Sequence, residues 1–135
     1  MFALSPVLRI HWVARASLAF MFGFHGLVPK LLWLSQGEQA MLRAHGIEQI
    51  ALFAHLAGAA EIAFALWLLL ARRSGLPLII AATALLGLLV DVAFFSPSML
   101  KEAFNPVTLN VAGMALCAVA WYSRPEANPL SKAST

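Results

Sequence analysis

The chain has 135 residues, of which 61% are hydrophobic and only 11% are charged. A soluble domain of this length needs about twice that share of charged residues to cover its surface, so we exclude a soluble protein and predict one integral membrane domain, with the lipid bilayer as its partner. The net charge is +3, but most of the basic residues flank apolar spans, which is typical of membrane orientation and not of a nucleic-acid partner.

The chain opens with a short leader, residues 1–6, in which Pro6 favours a helix start just after it. The first transmembrane helix is predicted at residues 7–28. It extends toward Leu34 only with a bend, because Pro29 cannot donate a backbone hydrogen bond and its ring clashes with the preceding turn.

A polar segment, residues 35–49, follows this helix. Within it, residues 40–44 could form a short turn of helix at the membrane interface. The second transmembrane helix is predicted at residues 50–71, whose 22 residues are enough to cross a hydrocarbon core about 30 Å thick.

Glu61 stands near the middle of this second helix. A carboxylate at that depth costs a few kcal/mol or more in contact with lipid, so it should face protein or water. Ala54 and Gly58 share its stripe of the helix, and small residues let another helix approach closely. We therefore expect the other helices to bring their polar groups to this stripe.

The third helix is predicted at residues 77–95, after a turn whose Gly75 and Pro77 suit a helix end and a helix start. The fourth is predicted at residues 105–122, with Asn105 as its N-cap.

The polar tail, residues 124–135, is predicted to be disordered. Short connections favour antiparallel neighbours, so residues 7–123 are predicted to form an all-α, four-helix bundle with up-down-up-down topology.

Basic residues are unevenly distributed between the two ends of this bundle. One end holds six of them, namely Arg9, Arg15, Arg72, Arg73, Arg124 and Lys132, and the other end holds three, namely Lys30, Arg43 and Lys101. Because cytoplasmic loops carry the excess of Lys and Arg, we predict cytoplasmic N- and C-termini.

Polar residues inside the spans concentrate in the half of the bundle away from the termini. His25, Lys30, His55, Asp91 and Asn110 lie at comparable depth there, with Glu61 at the floor. Four helices that each offer polar groups at one level indicate a pocket.

Structural roles remain open for these residues. Glu61 could form a buried pair with Arg15, whose axial offset of about 7–8 Å is within reach of an arginine. Lys30 could reach the headgroups, pair with Asp91 or bind an anion.

The two histidines have open roles as well. His25 and His55 could be hydrogen-bonded packing residues or could together ligate a haem, although two histidines alone are a weak indication of haem. The sequence requires no cofactor and indicates no metal.

Three stretches resemble the DoxX-like family of small four-helix bacterial membrane proteins: HGLVPK (residues 25–30), AGAAEIAFALWLL (57–69) and FNPVTLN (104–110). The resemblance implies a four-helix fold in the bacterial inner membrane. Relatives in the wider DoxX and DoxD group include membrane subunits of thiosulfate:quinone oxidoreductase, which implies quinone-linked electron transfer. The positions that match the family's motifs add Gly26, Pro29, Asn105 and Pro106 to the site candidates.

The leading hypothesis is a bundle that binds a quinone-like or isoprenoid lipid in its outer half, as part of a redox complex. The candidate ligand-binding residues are His25, Gly26, Lys30, His55, Glu61, Asn105 and Asn110. An alternative is an isomerase or hydrolase for a lipophilic substrate, with Glu61, Asp91 and His25 as candidate catalytic groups. A third is a non-catalytic subunit or homo-oligomer whose polar stripe holds helices together.

Overall fold

The structure, a computed structural model, describes residues 5–125. This part is all-helical, with five α-helices: α1 (Pro6–Gly26), α2 (Gln36–Ala44), α3 (Ile50–Leu70), α4 (Leu76–Phe95) and α5 (Pro106–Tyr122). The all-α membrane fold is confirmed, and the count of four helices is corrected, because α2 is a fifth. Of the predicted leader and tail, residues 1–4 and 126–135 lie outside the described residues.

The helix α1 does not end at Pro29. Its start is capped by Ser5, whose Oγ accepts a hydrogen bond from the Leu8 amide at 3.3 Å. Past Gly26 the backbone widens into a π-helical segment, Leu27–Leu32. Trp33 accordingly donates to the carbonyl five residues earlier, at 2.9 Å. A π turn accommodates a residue that lacks a donor, so the helix continues through the proline.

The helix α2 occupies more of the polar segment than predicted. Ser35 caps it, and its Oγ accepts from the Glu38 amide at 3.2 Å. None of its residues is fully buried, so the cap and contacts made by individual side chains hold it in place.

The start of α5 follows the sequence signals. The Asn105 side chain accepts from the Thr108 amide at 3.0 Å, and Pro106 is the first helical residue. The Asn105 cap satisfies one of the free N–H groups at the helix start, and Pro106 has no N–H group that needs a partner. The cap fixes where α5 begins and hence where Asn110 lies.

The helix α1 is central to the packing. It lies along α3 on one side and α5 on the other, α5 packs on α4, and α3 and α4 touch little although a five-residue turn joins them. The core holds Leu18, Phe22, Leu68 and Leu85. The helices adjacent in sequence are therefore not always the ones that pack together.

The two ends of the molecule differ in content. At one end the start of α1 meets the ends of α3 and α5, through His11 and Arg15; we call it the Arg15 end. At the opposite end lie the π-helical segment, α2 and the start of α5; we call it the Lys30 end. Both α3 and α5 thus run antiparallel to α1.

Large apolar side chains cover the outside. Phe20 is 71% exposed and Phe94 80% exposed. Three helical stretches are long and apolar enough to cross a bilayer: Pro6–Leu32, Ile50–Leu70 and Leu76–Phe95; α5 is apolar but has only 17 residues. Apolar surface of this kind is the face that lipid covers, so the chain is a membrane protein.

Candidate functional site

Two glycines set the distance between α1 and α3 at the Lys30 end. A Cβ atom on Gly26 would lie 2.5 Å from the Gly58 carbonyl oxygen, and one on Gly58 would lie 2.6 Å from the Gly26 oxygen. Only glycine permits backbones to come this close. The same two positions would touch the Cβ atoms of Glu61 and Lys30 at 3.0 Å, so the approach of the glycines sets these two residues against each other.

Lys30 is the centre of a charge cluster in this region. Its Nζ lies 2.5 Å from Glu61 Oε1 and 3.4 Å from Glu38 Oε1. The side chain of Lys30 is 10% exposed and that of Glu61 is 23% exposed. An ammonium shared by two carboxylates in such a place is held by charge-assisted contacts that water screens little.

Glu61 has an unused acceptor. Its Oε2 is buried and accepts no hydrogen bond from residues 5–125. A buried carboxylate oxygen without a donor is costly, and such a group in a native fold calls for a partner. The free oxygen is therefore the first indication of a ligand at the Lys30 end.

A cavity of about 750 Å³ opens beside this cluster. Apolar residues of α1, α4 and α5 form most of its wall, including Phe22, Leu85 and Leu109. Its polar lining consists of His25, Lys30, Ser35, Glu38, Glu61, Asn105, Thr108 and Asn110. The volume and the mixture of apolar walls with a few polar groups are typical of small-molecule sites.

Asn110 is the polar residue on the α5 wall. It is buried, with 6% of its surface exposed, and it lies on the wall of the cavity. An amide in a membrane interior needs a hydrogen-bond partner, and the cavity beside Asn110 has room for one. Both Glu61 on α3 and Asn110 on α5 thus face one cavity.

His25 contributes a ring nitrogen. Its Nδ1 lies 3.1 Å from the Met21 carbonyl oxygen of the same helix. A carbonyl only accepts, so in the neutral ring Nδ1 carries the hydrogen and Nε2 keeps a lone pair. The tautomer is thus set by the backbone one turn earlier.

Three predicted site residues do not line the cavity. Gly26 lies in the contact with α3 and acts through helix spacing. Asp91 is held by His45, with Oδ1 2.8 Å from Nε2. His55 is exposed on α3. The structure therefore brings neither Asp91 to Glu61 nor His55 to His25.

The predicted pair of Arg15 with Glu61 is wrong. Arg15 is fully buried and donates to four backbone carbonyls at the end of α3 and in the turn after it: Leu68 at 2.8 Å, Ala71 at 2.9 Å, Ser74 at 3.0 Å and Arg72 at 3.1 Å. The last carbonyls of a helix lack intrahelical donors and carry partial negative charge, so they attract a cation.

His11 completes the Arg15 end. It is 1% exposed, with Nδ1 2.9 Å from the Ala120 oxygen and Nε2 3.1 Å from the Arg72 oxygen. A neutral ring donates from one nitrogen only, so His11 bonds the start of α1 either to the end of α5 or to the turn after α3, and its other nitrogen lies beside the second carbonyl. Sequence reasoning missed this role, because backbone acceptors leave no signature in the residue pattern.

Two further residues of the site region were missed. Glu38 was overlooked because it lies in the polar segment, although the preceding Ser35 is a cap signal three residues earlier. His45 lies just after α2 and stacks on Phe95, with ring centroids 4.1 Å apart. Together they fasten α2 to α1 and to α4.

His45 is a titratable group outside the transmembrane helices. Its Nδ1 lies 2.8 Å from the Met41 carbonyl and its Nε2 contacts Asp91. The Met41 carbonyl first, and then the Asp91 carboxylate, raise the pKa of His45 above its usual value. The contact with Asp91 is therefore strongest when the ring is charged.

Comparison with known proteins places this chain in a family. The model described as the DoxX-like family matches residues 19–118, a range that includes the glycine contact, Lys30, Glu61 and Asn110. No curated protein and no solved structure matches the chain. Among residues 5–125, no group of three or more His, Cys, Asp or Glu side chains is placed to hold a metal ion.

Proposed function

Because the chain belongs to the DoxX-like family, we propose that it binds the head of a quinone-like or isoprenoid lipid in the cavity at the Lys30 end. The observation that carries the proposal is the cavity itself. About 750 Å³ of space is walled mainly by apolar side chains and is also lined by Asn110 and by Glu61, whose buried Oε2 has no donor among residues 5–125.

An amphipathic ligand fits both parts of this lining. A ring or polar head next to Glu61 and Asn110 supplies a donor to Glu61 Oε2, which has none among residues 5–125, and a hydrogen-bond partner to the Asn110 amide. An isoprenoid chain packs on Phe22, Leu85 and Leu109 and leaves toward lipid. A smaller, fully polar ligand would leave the apolar wall uncovered.

The topology that goes with this function has four membrane crossings. Here α5 crosses as the fourth span beside α1, and α2 lies at the interface. The excess of Lys and Arg at the Arg15 end favours a cytoplasmic location for both termini in a bacterial inner membrane. The cavity then lies in the outer half, where a redox partner subunit can exchange the same lipid.

The proposal is tested by measuring the binding of a short-chain quinone to detergent-purified protein. Quenching of tryptophan fluorescence reports the binding. We expect saturable binding that Asn110→Leu weakens about five-fold, because one hydrogen bond is worth about 1 kcal/mol. Leucine keeps the branched shape of the side chain, and its two methyl groups can extend into the cavity, so the variant should stay folded.

The matched control is His55→Leu, since His55 is exposed and outside the cavity. It should bind like the native protein. Absence of saturable binding by the native protein, to a quinone or to an isoprenoid alcohol, would refute the proposal.

Acid–base catalysis on a lipophilic substrate is a second candidate function. It is favoured by the free Oε2 of Glu61 and the free lone pair of His25 at one cavity, and it does not involve Asp91. It predicts turnover with a bell-shaped pH profile that Glu61→Gln abolishes and Asp91→Asn leaves unchanged.

A further inference from the structure

The one basic side chain on the described cavity lining is already paired with acidic side chains, which outnumber it. Lys30 is the one lysine or arginine on the described lining, and both Glu61 and Glu38 contact it. One positive and two negative side chains leave a formal charge of −1, taken from these three residues. An anionic head would meet two carboxylates and no free cation, and this opposes its binding.

Two acceptors of residues that line the cavity have no donor among residues 5–125. Glu61 Oε2 has no donor, and His25 Nε2 keeps a lone pair because Nδ1 donates to Met21. Lys30 directs its ammonium at two carboxylates, and of its three N–H donors at most one remains for a ligand. A ligand oxygen that can only accept would leave these acceptors unsatisfied.

The opposite wall has a different character. Asn110 lies on this wall, and its amide offers two donors and one acceptor. It can therefore bond either a carbonyl or a hydroxyl. Discrimination between ligands must come from the acceptor side, at Glu61 and His25.

We infer that the cavity selects a neutral head group that donates a hydroxyl hydrogen, so that a hydroquinone binds more tightly than the corresponding quinone. The inference deepens the proposed function and rests on the same cavity. The donor faces Glu61 Oε2 or His25 Nε2, and the second oxygen of the ring bonds Asn110. Phosphorylated isoprenoids are excluded by their charge.

The test compares four ligands on the full-length protein in detergent under anaerobic conditions: a short-chain benzoquinone, its hydroquinone, farnesol and farnesyl phosphate. We expect the hydroquinone to bind about ten-fold more tightly than the quinone, since a hydrogen bond to a carboxylate is strong. Farnesyl phosphate should bind at least ten-fold more weakly than farnesol. The ratio of farnesol to hydroquinone affinity identifies whether the ring or the hydroxyl alone is recognised.

Glu61→Gln should bring the hydroquinone-to-quinone ratio toward one, because the amide offers a donor as well as an acceptor. Glu48→Gln, which removes an exposed acid outside the cavity, should leave the ratio unchanged. The native protein is measured first, so failure of a variant to fold does not remove the test.

The outcomes separate the two proposals. Equal binding of quinone and hydroquinone, or tighter binding of the quinone or of farnesyl phosphate, contradicts this inference and leaves lipid binding intact. No binding of any of the four contradicts the proposed function as well.

Discussion

At the Arg15 end, four backbone carbonyls accept hydrogen bonds from one buried guanidinium. At the Lys30 end, two carboxylates share one ammonium, and the buried Oε2 of Glu61 accepts no hydrogen bond from the part of the chain that the structure describes. Both clusters join α1 to α3. The first closes its hydrogen bonds within the protein, and the second leaves groups free beside a cavity.

The difference indicates how one helix pair can serve two purposes. Buried polar groups with complete partners hold a structure together, whereas incomplete ones are candidates for binding. Substitutions at the Arg15 end should therefore reduce stability, while those at the Lys30 end should also change ligand binding.

The largest effect is expected for Arg15→Met. Loss of the guanidinium leaves the Leu68 and Ser74 carbonyls without a donor, whereas the Ala71 oxygen keeps the Ser74 amide and the Arg72 oxygen keeps the His11 ring. The expected cost is roughly 3 kcal/mol or more, because hydrogen bonds to charged groups are each worth about 1.5–3 kcal/mol. Thermal unfolding in detergent measures it. The stability of Arg15→Lys should lie between that of the native protein and that of Arg15→Met, because lysine keeps the charge but lacks the planar guanidinium. If Arg15→Met has the same melting temperature as the native protein, the contrast between the two ends fails.

The next largest effect is expected for Gly26→Ala. The added methyl would lie 2.5 Å from the Gly58 carbonyl, so the helices must separate, at a cost of about 1–3 kcal/mol for overpacking. Separation also moves Lys30 from Glu61, so quinone binding should weaken along with stability.

Gly87→Ala is the matched control, since a Cβ on Gly87 meets nothing within 4 Å. It should be neutral or slightly stabilising, because alanine favours a helix. Equal destabilisation by the two substitutions would show that helix spacing at Gly26 has no special role.

A smaller effect is expected for the coupling of Lys30 with Glu61. Lys30→Met and Glu61→Gln are measured singly and together, and the double-mutant cycle should give a coupling of about 1–2 kcal/mol. The partly exposed position of Glu61 keeps the value below that of a fully buried pair. Additive effects would mean that the two charges do not interact. Lys101→Met, at an exposed residue, serves as the control.

The smallest effect is expected for His45, in the form of a pH dependence. Its pKa is raised in the folded state, so its contribution to stability is complete below the ordinary value of 6.5 and is lost as pH rises through the folded-state pKa. Melting temperatures between about pH 5.5 and pH 8.5 should therefore fall more in the native protein than in His45→Gln. Parallel pH profiles would contradict the link to Asp91.

The helices and part of the site could be predicted from the sequence. Long apolar runs predict spans because the bilayer fixes their length, and Asn105 with Pro106 marks a helix start by local chemistry. The depth of His25, Lys30, Glu61 and Asn110 along their helices also predicted a common level, and these four line one cavity.

Which of these polar side chains contact one another could not be predicted. Whether Glu61 meets Arg15 or Lys30 depends on helix rotation, and the π-helical segment at Leu27–Leu32 changes that rotation without a periodic signal. The partners of Arg15 are backbone oxygens, which every residue has. The place of α2 depends on contacts made by Glu38 and His45 with distant helices.

The unequal lengths of the spans have a consequence for the surrounding lipid. Seventeen residues of α5 cover about 26 Å at 1.5 Å per residue, which is roughly 4 Å less than the thickness of a typical hydrocarbon core. The neighbouring α1 with its extension exceeds that thickness and must tilt. With α5 as the fourth span, as proposed above, the membrane thins beside α5, and acyl-chain length becomes a physical variable to which the mouth of the cavity is sensitive.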